Sequence, residues 1–297
     1  MSTLPAAGTR DLSLLGSLLS APPLPSPSVP VMATATATAT ATPPPPGKVP
    51  PGPDVKFRCT NQQGWSNPTG QVLRPLAERV WVAERAFMPA PSAPDIGGKT
   101  TVIKLSSGTL FVHNPLLLTE DLAAALAALG PVSHVVSASM AHHGYVAQWL
   151  AAYPNATGLA PPGLAAKCPS IPLSAELGDT PPTDLAADFD QVYVSSVPAF
   201  SEVAFFHRPS GTLLLTDLLM RIGGKADGVS VGTRLMGAVF RGPVRLATRT
   251  VLAKDKAAFR EQVRRIAAWD SKRMVMAHGT VVEGNVQAAL REWFPFL

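Results

Sequence analysis

A chain of 297 residues with 46% hydrophobic content can bury one large core or two modest ones, and only 15% of it is charged. Two cysteines, Cys59 and Cys168, far apart in sequence, exclude a CxxC redox motif or a zinc knuckle and fit a reducing compartment. The net charge of +5 hides an uneven spread, because residues 221–273 hold 13 Lys/Arg against 4 Asp/Glu. Such a stretch could attract phosphate, nucleic acid or an acidic membrane surface, but a solvated helix face is the simpler expectation. Its aromatics, Phe240, Phe259 and Trp269, are too scattered for a single-strand stacking platform, so nucleic acid is disfavoured as a partner.

Residues 1–55 are built largely from Pro, Ala, Ser and Thr, including an alternating Ala-Thr run at 33–42 and four prolines at 43–46. They are expected not to fold alone, since they cannot offset a backbone-ordering cost of about 1–2 kcal/mol per residue. With Asp11 and Asp54 as its only acids the segment resembles a plastid or other organellar transit peptide; the near absence of arginine fits a plain tail on a cytoplasmic protein. The apolar run at 12–19 is too short to span a bilayer, so no membrane anchor is expected.

The globular part is expected over residues 56–297. A first strand is predicted through Val80–Val82 within residues 79–87, then a hairpin of strands 100–105 and 109–113 about Ser106-Ser107-Gly108. Thr119 is a good N-cap for a helix carrying Leu122, Leu126 and Leu129, with Glu120 and Asp121 at its positive end. A strand at 132–139 and a helix at 146–153 follow, and this alternation argues for an α/β layered domain. Short strands are expected at 156–160, 171–177 and 191–197, and a hairpin at 203–207 and 212–216. Residues 222–232 read as a Gly-rich loop, a lid or a long connection. The remaining elements are an amphipathic helix at 254–269, a strand at 273–277 and a closing helix at 285–294.

The chemistry is concentrated at the ends of these strands. His142 and His143 follow one strand, His278 another, Asp217 a third, and His113 ends a fourth. Converging imidazoles and a carboxylate would suit a transition metal. The alternative is that the histidine pair caps the following helix and Asp217 caps a turn. His207, at a hairpin tip beside Arg208 and Pro209, is expected on the surface, and His134 in the core or on a sheet face. No GxSxG elbow, Walker loop or dinucleotide fingerprint is present.

Five stretches, VWVAERAF at 80–87, TVIKLSSGTLFVHNPLLLTEDLAAALAALGPVSHVV at 101–136, AHHGYVAQWLAAYP at 141–154, FFHRPSGTLLLTDLL at 205–219 and VMAHG at 275–279, together resemble the metallo-beta-lactamase-like fold. Within it they are similar to an uncharacterised branch, the domain of unknown function family 4336. The resemblance implies an α/β four-layer αββα sandwich of two mixed sheets. The superfamily carries an HxHxDH motif, a further His, a bridging Asp and a last His. With the motif's final DH on His142-His143, Ala138 and Met140 stand where its first two histidines belong, and no His occurs at 195–200. Asp217 and His278 match the bridging Asp and last His. The resemblance therefore implies one metal position, His142, His143, Asp217 and His278, holding one zinc or iron ion or none. The substrate-binding residues are not legible, and His113 is one candidate. His142 in place of Asp removes the carboxylate that orients the attacking water, which argues against two-metal hydrolysis. A mononuclear hydrolase of a small-molecule ester, thioester or phosphoester and a non-catalytic binding or scaffold protein both fit; the oligomeric state is not legible.

Overall fold

The computed structural model describes residues 48–53, 59, 63–223 and 228–297; the expectation for the rest of the Pro/Ala/Thr-rich segment lies outside them. Strands β1 (Arg74–Ala77), β2 (Val80–Arg85), β3 (Gly98–Lys104) and β4 (Leu110–His113) pair antiparallel in chain order. Strands β5 (Val132–Val136), β6 (Thr157–Ala160) and β7 (Ala175–Glu176) extend the same sheet in parallel. A parallel neighbour needs a crossover, and these are α1 (Glu120–Ala127), α2 (Val146–Ala152) and α3 (Leu164–Lys167). Thr119 caps α1 as expected, its hydroxyl accepting from the Leu122 N–H.

The second sheet contains β8 (Phe189–Val194), β9 (Glu202–His207), β10 (Thr212–Leu215), β11 (Arg273–Met276) and β12 (Val282–Glu283) in the order β12-β11-β10-β9-β8. Its one parallel pair, β10 with β11, encloses a long helical crossover. That crossover runs through α4 (Val231–Val239), a π-helical turn (Phe240–Val244), α5 (Arg245–Ala247), a second π turn (Thr248–Leu252) and α6 (Lys256–Ala267). Helix α7 (Val286–Trp293) closes the chain.

Alternation along the strands sorts the side chains into three apolar layers. Val80, Val82, Ile103 and Phe111 of the first sheet meet Phe189, Val203, Phe205, Leu214 and Val275 of the second in the central core. On the outer face of the first sheet, Val102, Leu110 and Val112 pack against Leu122 and Leu126 of α1 and Val146 and Trp149 of α2. On the outer face of the second, Leu213, Leu215, Met274 and Met276 pack against Phe259 and Val263 of α6 and Leu290 and Trp293 of α7. The architecture is an α/β sandwich of two mixed sheets with helices outside, as expected.

Several readings are corrected. The strand expected at 171–177 shrinks to Ala175–Glu176, since Pro172 lacks a ladder donor. The expected loop at 222–232 ends in the first turn of α4, which Ser230 caps by accepting from the Thr233 N–H. His207 is fully buried rather than on the surface. Facing Phe189 across β8 and Thr212 across β10, its ring lies 5.3 Å from that of Phe189 and its Nδ1 is 2.7 Å from the Ser210 hydroxyl. The aromatics of the basic stretch are occupied too: Phe259 is in the core and Trp269 stacks on Phe206 at 5.6 Å.

Burial pushes His207 down to about 4 from its ordinary 6.5. On acidification the unfolded chain takes up this proton first, so stability falls between the two values. A loss of about 3 kcal/mol is expected over that range, beyond the loss shown by His207→Gln; urea unfolding of both proteins at pH 4, 5, 6 and 7 reads the difference.

Candidate metal centre

One edge of the sandwich collects the ends of β3, β10 and β11 and the turn leading into α2. Asp217 follows β10 immediately after Leu215-Thr216, and its turn is fixed from below by Glu202, the first residue of β9. The fully buried Glu202 carboxylate accepts the N–H groups of Thr216, Asp217 and Leu218 at 2.6, 2.8 and 2.7 Å. Burial, reinforced by the charge of Asp217, pushes Glu202 upward.

His278 leaves β11 between Ala277 and Gly279. Its Nδ1 lies 2.7 Å from the Gly97 carbonyl, so that nitrogen carries the proton and Nε2 keeps a lone pair to offer. Phe87 lies against the ring with centroids 4.9 Å apart. Burial, then the charge of His142, lowers His278 to about 4. The loop is also tied to the first sheet: the Lys99 N–H donates to the Ala277 carbonyl at 2.9 Å and its ammonium to the Gly279 carbonyl. Lys99 is itself fully buried and paired with Glu84 at 3.2 Å, and Glu84 with Arg74 at 2.7 Å.

His142 comes from the turn before α2, its Nε2 3.0 Å from Asp217 Oδ2. Its ring centroid is 5.2 Å from that of His278. Burial opposes charge on His142, but the Asp217 carboxylate outweighs it and holds the imidazole above its usual range. The same contact, against the same opposing burial, holds Asp217 below the ordinary carboxylate range. Among the described residues, one group of His, Cys, Asp and Glu side chains brings three ligand atoms within metal-holding reach: His142, Asp217 and His278, all within 4.8 Å of one another.

His143 stands apart from this group. It is half-buried, its Nδ1 enclosed without a hydrogen-bond partner, and burial followed by the nearby Lys167 lowers it. Adjacent residues project in different directions, so the turn that brings in His142 carries His143 elsewhere. His113 is buried at the end of β4 with its ring edge-on to Phe205 at 5.9 Å and its Nε2 unpartnered. Burial and then His142 push it down to about 3, and it does not line the cavity over the three-residue group. Ala138 and Met140 are used structurally: the Val203 N–H of β9 donates to Ala138 O, and the Met140 N–H to Phe200 O in the turn before β9, both at 2.8 Å.

Above His142, Asp217 and His278 opens a cavity of about 290 Å³. Its walls are mainly apolar, with Phe87, Ile96, Leu116, Phe200, Met220 and Phe240 prominent. Glu202, Lys99 and Glu84 were not singled out by sequence; the one signal was a charge at or next to an end of a strand.

Two mixed sheets packed face to face with helices outside are the arrangement of the metallo-beta-lactamase-like fold. Residues 93–239 match the model of the family described as Domain of unknown function (DUF4336). Solved structures agree on the fold. A putative diflavin flavoprotein fragment from Nostoc sp. PCC 7120 is 12% identical with a TM-score of 0.56, covering 75% of this chain and 94% of that one. A metallo beta lactamase from Erythrobacter litoralis is 16% identical with a TM-score of 0.53, again covering 75% and 94%. A metal-soaked flavodiiron core from Synechocystis sp. PCC6803 is 10% identical at a TM-score of 0.55; the match covers 75% of this chain but spans only 60% of that core. No curated protein matches.

Proposed function

We propose that the chain holds one zinc or iron ion on His142, Asp217 and His278 and hydrolyses a small-molecule ester, thioester or phosphoester whose apolar portion fills the cavity above. The observation that carries this reading is the convergence of the three ligand atoms at the cavity's base. The donor set fits: two imidazoles and a carboxylate are an ordinary ligand set for a catalytic ion with one position open. The tie from His278 Nδ1 to Gly97 O presents Nε2, and an ion would take the place of the proton shared by His142 and Asp217. Such an ion supplies Lewis acidity and brings water's ionisation towards neutral pH. The chain's own residues do the rest. Glu202 fixes the backbone that aims Asp217, Phe87 and Gly97 fix the His278 ring, and Phe200, Met220 and Phe240 exclude water around the substrate.

A second reading, a binding protein without turnover, is favoured by Ala138 and Met140, which offer no imidazole where the motif's first two histidines would stand. Zinc titrated calorimetrically into the full chain is expected to bind at one equivalent. Asp217→Asn and His278→Ala are expected to weaken it more than about 100-fold, beyond the cost of losing an outer-shell partner. Binding with zinc-dependent cleavage of 4-nitrophenyl esters, acyl thioesters or phosphodiesters supports the hydrolase. Binding without cleavage of any of them leaves the second reading, and no zinc binding removes the site.

A further inference from the structure

Above the His142, Asp217 and His278 base, the walls of the cavity offer an anion nothing. Six segments each turn an apolar side chain into it: Phe87 after β2, Ile96 before β3, Leu116 after β4, Phe200 before β9, Met220 after β10 and Phe240 in the first π turn. Ile96 and Met220 form a buried cluster with Ile222, on which Phe87 and Phe240 pack, so this wall is built into the fold. Among the described residues, no lysine or arginine lines the cavity. Asn114 does, but its amide nitrogen already donates to the Lys99 carbonyl at 2.6 Å.

The cations around the cavity are held elsewhere. Lys99 is buried with its ammonium on Glu84 and the Gly279 carbonyl, and Lys167 donates to the Met140 carbonyl at 2.8 Å. In the basic stretch, Arg241 donates to the Ile222 carbonyl and Arg245 to that of Glu292, while Arg265 and Arg273 pair with Asp179 and Glu283. An anionic group in the cavity would therefore meet only the base, and its remaining charged oxygens would face hydrocarbon. A phosphoester shares its charge among non-bridging oxygens, so some of that charge is stranded there. A carboxylic ester has one uncharged carbonyl oxygen to place at the base, and its hydrocarbon suits the walls.

We infer that the cavity selects an uncharged apolar acyl group, so that the substrate is a carboxylic ester or thioester and phosphoesters are excluded. Naming the ester rests on the hydrolase reading; the cavity's preference for an uncharged ligand does not.

The test titrates the full chain, with and without one equivalent of zinc, with two fluorescent probes that share an aromatic frame. N-phenyl-1-naphthylamine is uncharged and 8-anilino-1-naphthalenesulfonate is anionic. The uncharged probe is expected to bind at least about tenfold tighter in both states. Phe240→Arg and Met220→Lys each put a cation in the wall and are expected to shift the ratio towards the sulfonate by about tenfold, whereas Phe240→Leu leaves it unchanged. Circular dichroism and melting temperature establish which variants fold; Phe240 is only partly buried, so its variants keep the test decisive if Met220→Lys does not. The inference is overturned if the sulfonate binds the unaltered chain as tightly as the amine, if the amine does not bind, or if folded Phe240→Arg keeps the unaltered ratio. Turnover by the zinc-loaded chain separates the two readings. A kcat/KM for 4-nitrophenyl hexanoate at least about tenfold above that for the equally long adipate half ester supports the inference. A phosphodiester cleaved faster than the hexanoate overturns it. Cleavage of no ester, with the probe ratio intact, removes the hydrolase and keeps the selectivity.

Discussion

Glu202→Ala is expected to destabilise the chain by about 3–5 kcal/mol, as for removal of one member of a buried charged network. Three backbone donors, at Thr216, Asp217 and Leu218, converge on this carboxylate with no exposure to water. Hydrogen bonds to a charged acceptor contribute about 1.5–3 kcal/mol each, and removing the acceptor strands all three donors. The charge of nearby Asp217 offsets part of this gain, which sets the estimate below the simple sum. Glu202→Gln should recover only part of the loss, because its amide turns a donor towards backbone donors. Both variants should also weaken ion binding, since the turn they loosen is the one that aims Asp217. Urea unfolding and zinc titration of the two read these effects separately; a Glu202→Gln protein with unaltered stability and affinity would contradict the assigned role.

Gly279→Ala is expected to cost at least about 3 kcal/mol. Gly279 has φ of +92°, which costs an L-residue about 1–2 kcal/mol, and a Cβ there would collide with the Arg221 carbonyl. That carbonyl cannot simply retreat, because it accepts the Thr280 N–H at 2.9 Å. The collision sits directly after His278 and at the carbonyl held by the Lys99 ammonium, so the ligand loop itself must move. Gly284 is an internal control: its φ is +77° but its Cβ would meet nothing within 4 Å, so Gly284→Ala should cost only the backbone strain of about 1–2 kcal/mol. Equal unfolding midpoints for the two alanine variants would remove the proposed crowding.

What was legible in the sequence was local. Thr119 with its following acids announced α1, the Pro209-Ser210-Gly211 turn announced the β9–β10 hairpin, and the strand-end positions of His142, Asp217 and His278 announced their meeting place. What was not legible depends on partners far along the chain. Lys99 and Glu84 look like misplaced charges until the two strands pair and Gly279, 180 residues away, supplies a carbonyl. His207 looks exposed beside Arg208 until Phe189 closes over it. His143 is indistinguishable from His142 in sequence, and only the turn geometry separates them. Helix α4 escaped notice because its solvent face carries Val231, Leu235 and Val239, leaving no polar side for helical periodicity to reveal.

The most direct measurement of the central claim is elemental analysis of the full chain, purified without exposure to chelator, beside its Asp217→Asn and His278→Ala variants. One equivalent of zinc or iron in the unaltered protein, lost in both variants along with part of its melting temperature, is the predicted result. A chain that contains no stoichiometric zinc or iron, and whose melting temperature neither variant changes, would contradict a metal centre at His142, Asp217 and His278.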